Sequence, residues 1–152
     1  MTTAQSSGDE DADYFRANIW GMGLLRSAMQ DAKVLDFDYE NPQWPKLERE
    51  ENETDDQYQE RYDEAAEPII SFRSTNPDLV PVGKFGSNDG WHVVPEECEI
   101  IANGLDKVKS FVHRGYMTDP VIIEENSDRL RFVRDFSNYC RHAAKHGGFK
   151  VW

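Results

Sequence analysis

The chain has 152 residues, of which 38% are hydrophobic, 30% charged and 12% aromatic. This length predicts one domain, and the aromatic content excludes an intrinsically disordered chain. No apolar run approaches the roughly 18 residues that a membrane-spanning helix needs. The formal net charge of −12 argues against direct binding to nucleic acid, because phosphate binding requires a basic surface.

The first elements follow from the apolar pattern. Residues 1–13 contain no Leu, Ile, Val or aromatic residue, and we expect a flexible acidic tail followed by a single globular domain over residues 14–152. Alternating apolar residues predict a half-buried strand over residues 14–20. A helical repeat of apolar residues then predicts a helix that ends near Lys33. Gly21-Met22-Gly23 favours a sharp turn into that helix over a dinucleotide fingerprint, because Arg26 replaces the third glycine.

The middle of the chain is predicted to hold an acidic helix. Residues 36–53 contain two prolines around Trp44 and are predicted to form an ordered loop. Thr54 and Gln57 have the spacing of a capping box, so a helix is expected to begin there and to end at Pro68. Its exposed carboxylates, which we predict to contact a partner, are those of Asp55, Asp56, Glu60, Asp63 and Glu64.

The second half is predicted to contain both strands and helices. Residues 69–72 are predicted to form a strand, and residues 80–94 a β-hairpin around the turn 87–90. Pro95 is expected to open a helix at its first position. A last helix is predicted from Ser127, as N-cap, to His146. Together these elements predict an α+β fold, with three to four helices packed on a small antiparallel sheet that contains the hairpin.

Charge is distributed unevenly along the chain. Residues 1–67 contain 18 acids and six Lys or Arg, whereas residues 68–152 contain eleven of each. In the last helix, four cations recur at helical spacing on one face, and they must be neutralised by the acidic helix, by solvent, or by an anionic partner or ligand. These cations are Arg131, Arg134, Arg141 and Lys145.

Two chemical alternatives remain open at this stage. An arginine-lined pocket for a phosphorylated or other anionic small molecule would use Arg16, Trp20 and Trp91 together with Arg131, Arg134 and Arg141. A weak metal candidate is formed by His142 and His146, four residues apart, with Asp135 as a third ligand, although the glutamate of an HExxH motif is missing. No cofactor is expected. The oligomeric state has no sequence signature.

The leading functional hypothesis is a non-catalytic protein-interaction module, of an inhibitor, adaptor or immunity type, that engages a basic partner protein. It is based on the charge separation and on the lack of a recognisable catalytic motif. Mimicry of DNA by the acidic half is a third hypothesis. Two cysteines without a CxxC pair, and no secretory signal after Met1, favour a cytoplasmic location.

Overall fold

In a computed structural model that describes residues 1–115 and 118–152, the chain forms four α-helices and seven short β-strands. The helices are α1 (Ile19–Asp31), α2 (Asp55–Ile70), α3 (Pro95–Asp106) and α4 (Asp128–Ala144). The strands are β1 (Thr2–Thr3), β2 (Leu35–Asp36), β3 (Val80–Pro81), β4 (Trp91–Val93), β5 (Phe111–His113), β6 (Val121–Ile123) and β7 (Phe149–Val151). A short 3-10 helix covers Val82–Phe85. The predicted α+β class is confirmed.

The strands form three small sheets. The largest is antiparallel and has the order β1-β7-β4, β2 pairs with β3 in parallel, and β5 pairs with β6 in antiparallel orientation. The predicted hairpin over residues 80–94 is wrong, because β3 pairs with β2 and β4 pairs with β7. The 3-10 helix immediately after β3 turns the chain, so the two halves of the expected hairpin end in different sheets.

The first 13 residues differ from the expected flexible tail. Thr2 pairs with Lys150 of β7, the Thr3 amide donates to the Asp13 carbonyl at 2.9 Å, and Met1 is buried. Backbone hydrogen bonds to a sheet edge need no apolar side chains, and hydropathy alone therefore gives no signal for this pairing. The predicted strand over residues 14–20 is reduced to one bridge between Thr2 and Tyr14.

Two helix boundaries differ from those that the sequence pattern predicts. Helix α1 begins at Ile19, capped by the Asn18 side chain, so that both glycines of the Gly21-Met22-Gly23 motif lie inside the helix. Helix α2 continues through Pro68 to Ile70, which replaces the start of the predicted strand over residues 69–72. Because Pro68 is exposed and lies in the last turn, it removes one backbone hydrogen bond without breaking a long helix.

The core is built on the packing of α3 against α4. Cys98, Ile101 and Leu105 of α3 are fully buried, as are Val133 and Phe136 of α4. Both helices begin as predicted, with Pro95 in the first position of α3 and the Ser127 hydroxyl accepting from the Leu130 amide at 3.2 Å. After α4, the left-handed residues Gly147 and Gly148 turn the chain into β7.

Gly148 should tolerate no side chain. Its φ is +80°, and a Cβ would lie 2.1 Å from the Val93 carbonyl oxygen, whereas Gly8, with a φ of +88°, has no neighbouring atom within 4 Å of the same position. We expect Gly148→Ala to lower the free energy of unfolding by about 2 to 4 kcal/mol more than Gly8→Ala, as measured by urea denaturation. Equal losses in the two variants would show that backbone conformation, rather than contact with β4, sets the cost.

Candidate functional site

The acidic helix α2 lies at the periphery of the fold. Of its 16 residues, all described by the structure, Ala66 alone is buried. The predicted capping box is present: the Thr54 hydroxyl accepts from the Gln57 amide, and the Gln57 side chain accepts from the Thr54 amide. Local interactions therefore define where this helix begins, and contact with the core contributes little to its first three turns.

A preceding loop packs along the first half of α2. The Tyr58 ring lies 5.2 Å from the Arg49 guanidinium and 5.9 Å from that of Arg61, and its hydroxyl donates to the Leu47 carbonyl. Arg61 donates to the Glu53 carboxylate at 2.8 Å, and this hydrogen bond lowers the pKa of Glu53. Arg49 and Arg61 thus both take part in contacts between the loop and α2.

The C-terminal end of α2 is attached to the largest sheet. The Glu67 carboxylate lies 3.7 Å from His92 Nδ1 of β4 and 3.7 Å from Lys150 Nζ of β7. The other ring nitrogen of His92, Nε2, lies 2.7 Å from the Gly147 carbonyl oxygen. One end of α2 is therefore held by polar contacts with the sheet.

Pairing inside this region leaves one row of carboxylates exposed. Asp55 pairs with Arg49, whereas the other four predicted partner-binding residues have no ion-pair partner within residues 1–115 and 118–152. Asp63 accepts only from the neutral amide of Gln59, at 2.7 Å. The four positions lie at three- and four-residue steps on neighbouring turns, over about 12 Å of helix. We call Asp56, Glu60, Asp63 and Glu64 the acidic stripe.

Two arginines of α4 bind to the C-terminal end of α3, a neighbour that the sequence pattern did not indicate. Arg134 donates to the carbonyl oxygens of Leu105 and Val108, and Arg141 pairs with Asp106. These groups lie at the C-terminal end of α3, where unpaired carbonyl oxygens and the helix dipole attract cations. The expected alternatives, docking of α2 or an external anion, are therefore not needed for Arg134 and Arg141.

The remaining residues of the predicted arginine-lined pocket are dispersed. Arg131 pairs with Asp128 on the surface of α4, and Arg16 lines a different groove beside Phe132. Trp20 is 71% exposed on the first turn of α1, whereas the Trp91 ring packs against those of Phe72 and Trp44. The six predicted residues do not share one cavity, and the pocket is not assembled as predicted.

The weak metal candidate is also not assembled. The rings of His142 and His146 stack with centroids 4.4 Å apart, but His142 Nε2 lies 2.9 Å from the Asp13 carboxylate. His146 Nδ1 lies 2.9 Å from the His142 carbonyl oxygen, a contact between the last turn of α4 and the residues that follow it. Asp135 is exposed, and among the described residues no group of three or more His, Cys, Asp or Glu side chains could hold a metal ion.

A buried ion pair is the charged feature that the sequence pattern did not reveal. Lys84 Nζ lies 2.6 Å from Glu97 Oε1, both side chains are fully buried, and Lys84 also donates to the His92 carbonyl at 2.7 Å. Burial lowers the pKa of Lys84 and raises the pKa of Glu97. The pair joins the 3-10 helix to the first turn of α3, and a single lysine in the apolar run 80–85 was its only sequence signal.

The two cysteines are buried free thiols. Burial is the main cause that raises the pKa of both Cys98 and Cys140, which disfavours the thiolate form that a nucleophile requires. In the described part of the chain, no helix is both long and apolar enough to cross a membrane.

Comparison of the chain with protein-family models, with curated proteins and with solved structures found no match. Function is therefore inferred from the geometry and charge of the surfaces described above.

Removal of one partner of the buried ion pair should be costly. We expect Lys84→Met to lower the free energy of unfolding by about 3 to 5 kcal/mol, because it removes the hydrogen-bonded cation of the buried Glu97 carboxyl and leaves only the Arg73 guanidinium, 3.8 Å away. The double variant Lys84→Met with Glu97→Leu should recover much of that loss, and the exposed-pair control Arg131→Gln should cost less than about 1 kcal/mol. Urea denaturation measures all three, and a double variant less stable than Lys84→Met would contradict this expectation.

The contact between Asp13 and His142 should make stability depend on acid pH. The hydrogen bond with His142, followed by those with Ser7, holds the pKa of Asp13 below its unfolded value of 3.8. The stabilisation is therefore complete above that value and is lost as the pH falls below it. We expect Asp13→Asn to be less stable than the wild type at pH ~7, and this difference to shrink below pH ~4.

Urea midpoints measured across this pH range test the prediction. Asp11→Asn serves as the control, because Asp11 is exposed and lies two residues from Asp13. A stability difference between Asp13→Asn and the wild type that stays constant with pH would contradict the expected linkage.

Proposed function

We propose that the protein is a non-catalytic cytoplasmic interaction module that binds a basic partner protein through the acidic stripe. The observation that carries this proposal is the row of four carboxylates without cationic partners, within the described chain, on a helix with one buried residue. An inhibitor, an adaptor or an immunity-type protein would each use such a surface.

The electrostatics of the stripe favour a cationic partner. Like charges three or four residues apart on a helix repel one another by a few tenths of a kcal/mol per pair. A complementary surface relieves this repulsion and also raises the rate of association. The net charge of −12 adds a long-range attraction toward basic proteins and a repulsion from nucleic-acid phosphates.

The surroundings of the stripe support the same proposal. Arg134 and Arg141 are engaged at the end of α3, and Arg49 and Arg61 are paired in contacts between α2 and the loop before it. These cations are therefore engaged in other contacts. Little positive charge of the protein itself offsets the negative field that a partner would experience at the stripe. The cytoplasmic location is part of the proposal and is favoured by the two free thiols.

Affinity capture from an extract of the native cells, followed by mass spectrometry, would supply candidate partners for a quantitative test. The stripe variant Asp56→Asn, Glu60→Gln, Glu64→Gln is compared with a control of equal charge change, Glu99→Gln, Glu124→Gln, Glu125→Gln, at exposed positions outside α2. We expect the stripe variant to weaken binding by at least about tenfold and to reduce its salt dependence, while the control retains near wild-type affinity.

Two results would contradict the proposal. One is an affinity for the captured partner that does not change between low and physiological salt. The other is an equal loss of affinity in the stripe variant and in the control, which would mean that total charge, rather than the position of the stripe, governs binding.

A further inference from the structure

A cavity of about 420 Å³ lies beside the first turns of α1, away from the residues of the acidic stripe. It is bordered by α1, by the segment 85–88 and by the end of β7. Buried side chains of Met1, Phe85 and Val151 contribute to its lining. Its volume is within the range of about 300 to 1,000 Å³ that is typical of small-molecule sites.

An indole forms one wall of this cavity. The Trp152 ring rests on Gly90, where a Cβ would lie 2.8 Å from the ring, and the Gly90 amide donates to the Val151 carbonyl at 2.9 Å. Although the ring is supported in this way, Trp152 is 63% exposed. An aromatic face that is supported on one side and accessible elsewhere is suited to stacking with a planar ligand.

An arginine supplies the only charged side chain of the cavity lining within the described residues. Arg26 follows Ile19 and Met22 on the same side of α1, at spacings of three and four residues, and all three line the cavity. Among the residues that the structure describes, Arg26 has no carboxylate within ion-pair distance and donates no hydrogen bond, and no Asp or Glu lines the cavity. In a protein with a net charge of −12, Arg26 thus places an unpaired positive charge beside this cavity, within the described residues.

We propose that this cavity binds a small molecule with a planar aromatic ring and one anionic group. The ring stacks on Trp152 above the apolar lining, and the anionic group pairs with the Arg26 guanidinium. The planar guanidinium can form two parallel hydrogen bonds with a carboxylate, sulfonate or phosphate. Neutral polar side chains at the rim, those of Asn18 and Asn88, add further donors.

The site is independent of the acidic stripe, since the two share no residue. Loss of stripe binding in the variant described above would leave this proposal intact, and the reverse also holds. A ligand here would instead couple α1 to β7 and to the segment 85–88.

A pair of fluorescent probes with the same aromatic framework tests the proposal: anilinonaphthalene sulfonate, which is anionic, and phenylnaphthylamine, which is neutral. We expect Arg26→Gln to lower the affinity for the sulfonate by about tenfold and to change the affinity for the neutral probe by less than about twofold. Trp152→Ala should lower the affinity for both probes by about fivefold or more. The control Arg16→Gln, in a neighbouring groove, should change neither affinity by more than about twofold.

Circular dichroism and thermal denaturation verify that each variant is folded. Broadening or shifting of the Trp152 indole N–H resonance by the sulfonate gives a second, site-specific readout in the wild type. The proposal is overturned if the wild type binds no sulfonate at millimolar concentration, if Arg26→Gln leaves its affinity unchanged, or if Arg16→Gln weakens it equally.

Discussion

The contact of two α4 arginines with the end of α3 determines where the charge of this protein is available. Arg134 satisfies carbonyl oxygens at the C-terminus of α3, and Arg141 pairs with Asp106, which also accepts from the buried Ser137 hydroxyl at 2.9 Å. The same interactions hold α3 against α4. They also engage two basic groups that would otherwise offset the negative charge of the acidic first half. Neither arginine pairs with a carboxylate of the acidic stripe.

The predictions that the structure confirms depend on contacts between residues that are close in the sequence. The capping box of Thr54 and Gln57, the N-cap Ser127, and Pro95 at the first position of α3 each act within one turn, so their residues are visible in the sequence. The exposure of α2 also follows from its charged composition, whereas the binding of a partner by its carboxylates stays a prediction.

The predictions that proved wrong concern contacts between segments that are far apart in the sequence. The hairpin over residues 80–94 required β3 to pair with β4, but β2 is its partner, and strand pairing of this kind depends on the whole topology. The ordering of residues 1–3 depends on the open edge of β7 in the same way. The Lys84–Glu97 pair and the Asp13–His142 contact join residues 13 and 129 positions apart, respectively, and neither spacing carries a periodic signal.

The two proposed surfaces differ in how the fold supports them, and this difference constrains what each can bind. The acidic stripe lies on a helix held by its adjoining loop and by Glu67 at its C-terminal end, so it presents charge at long range without a fixed concave shape. Such a surface suits a macromolecule that is attracted first and docked afterwards. The Arg26 cavity, by contrast, is bordered by core residues and by an indole resting on Gly90. Preorganised walls reduce the entropic cost of ordering a small ligand, which is why a compact aromatic anion, rather than a protein, is the appropriate occupant.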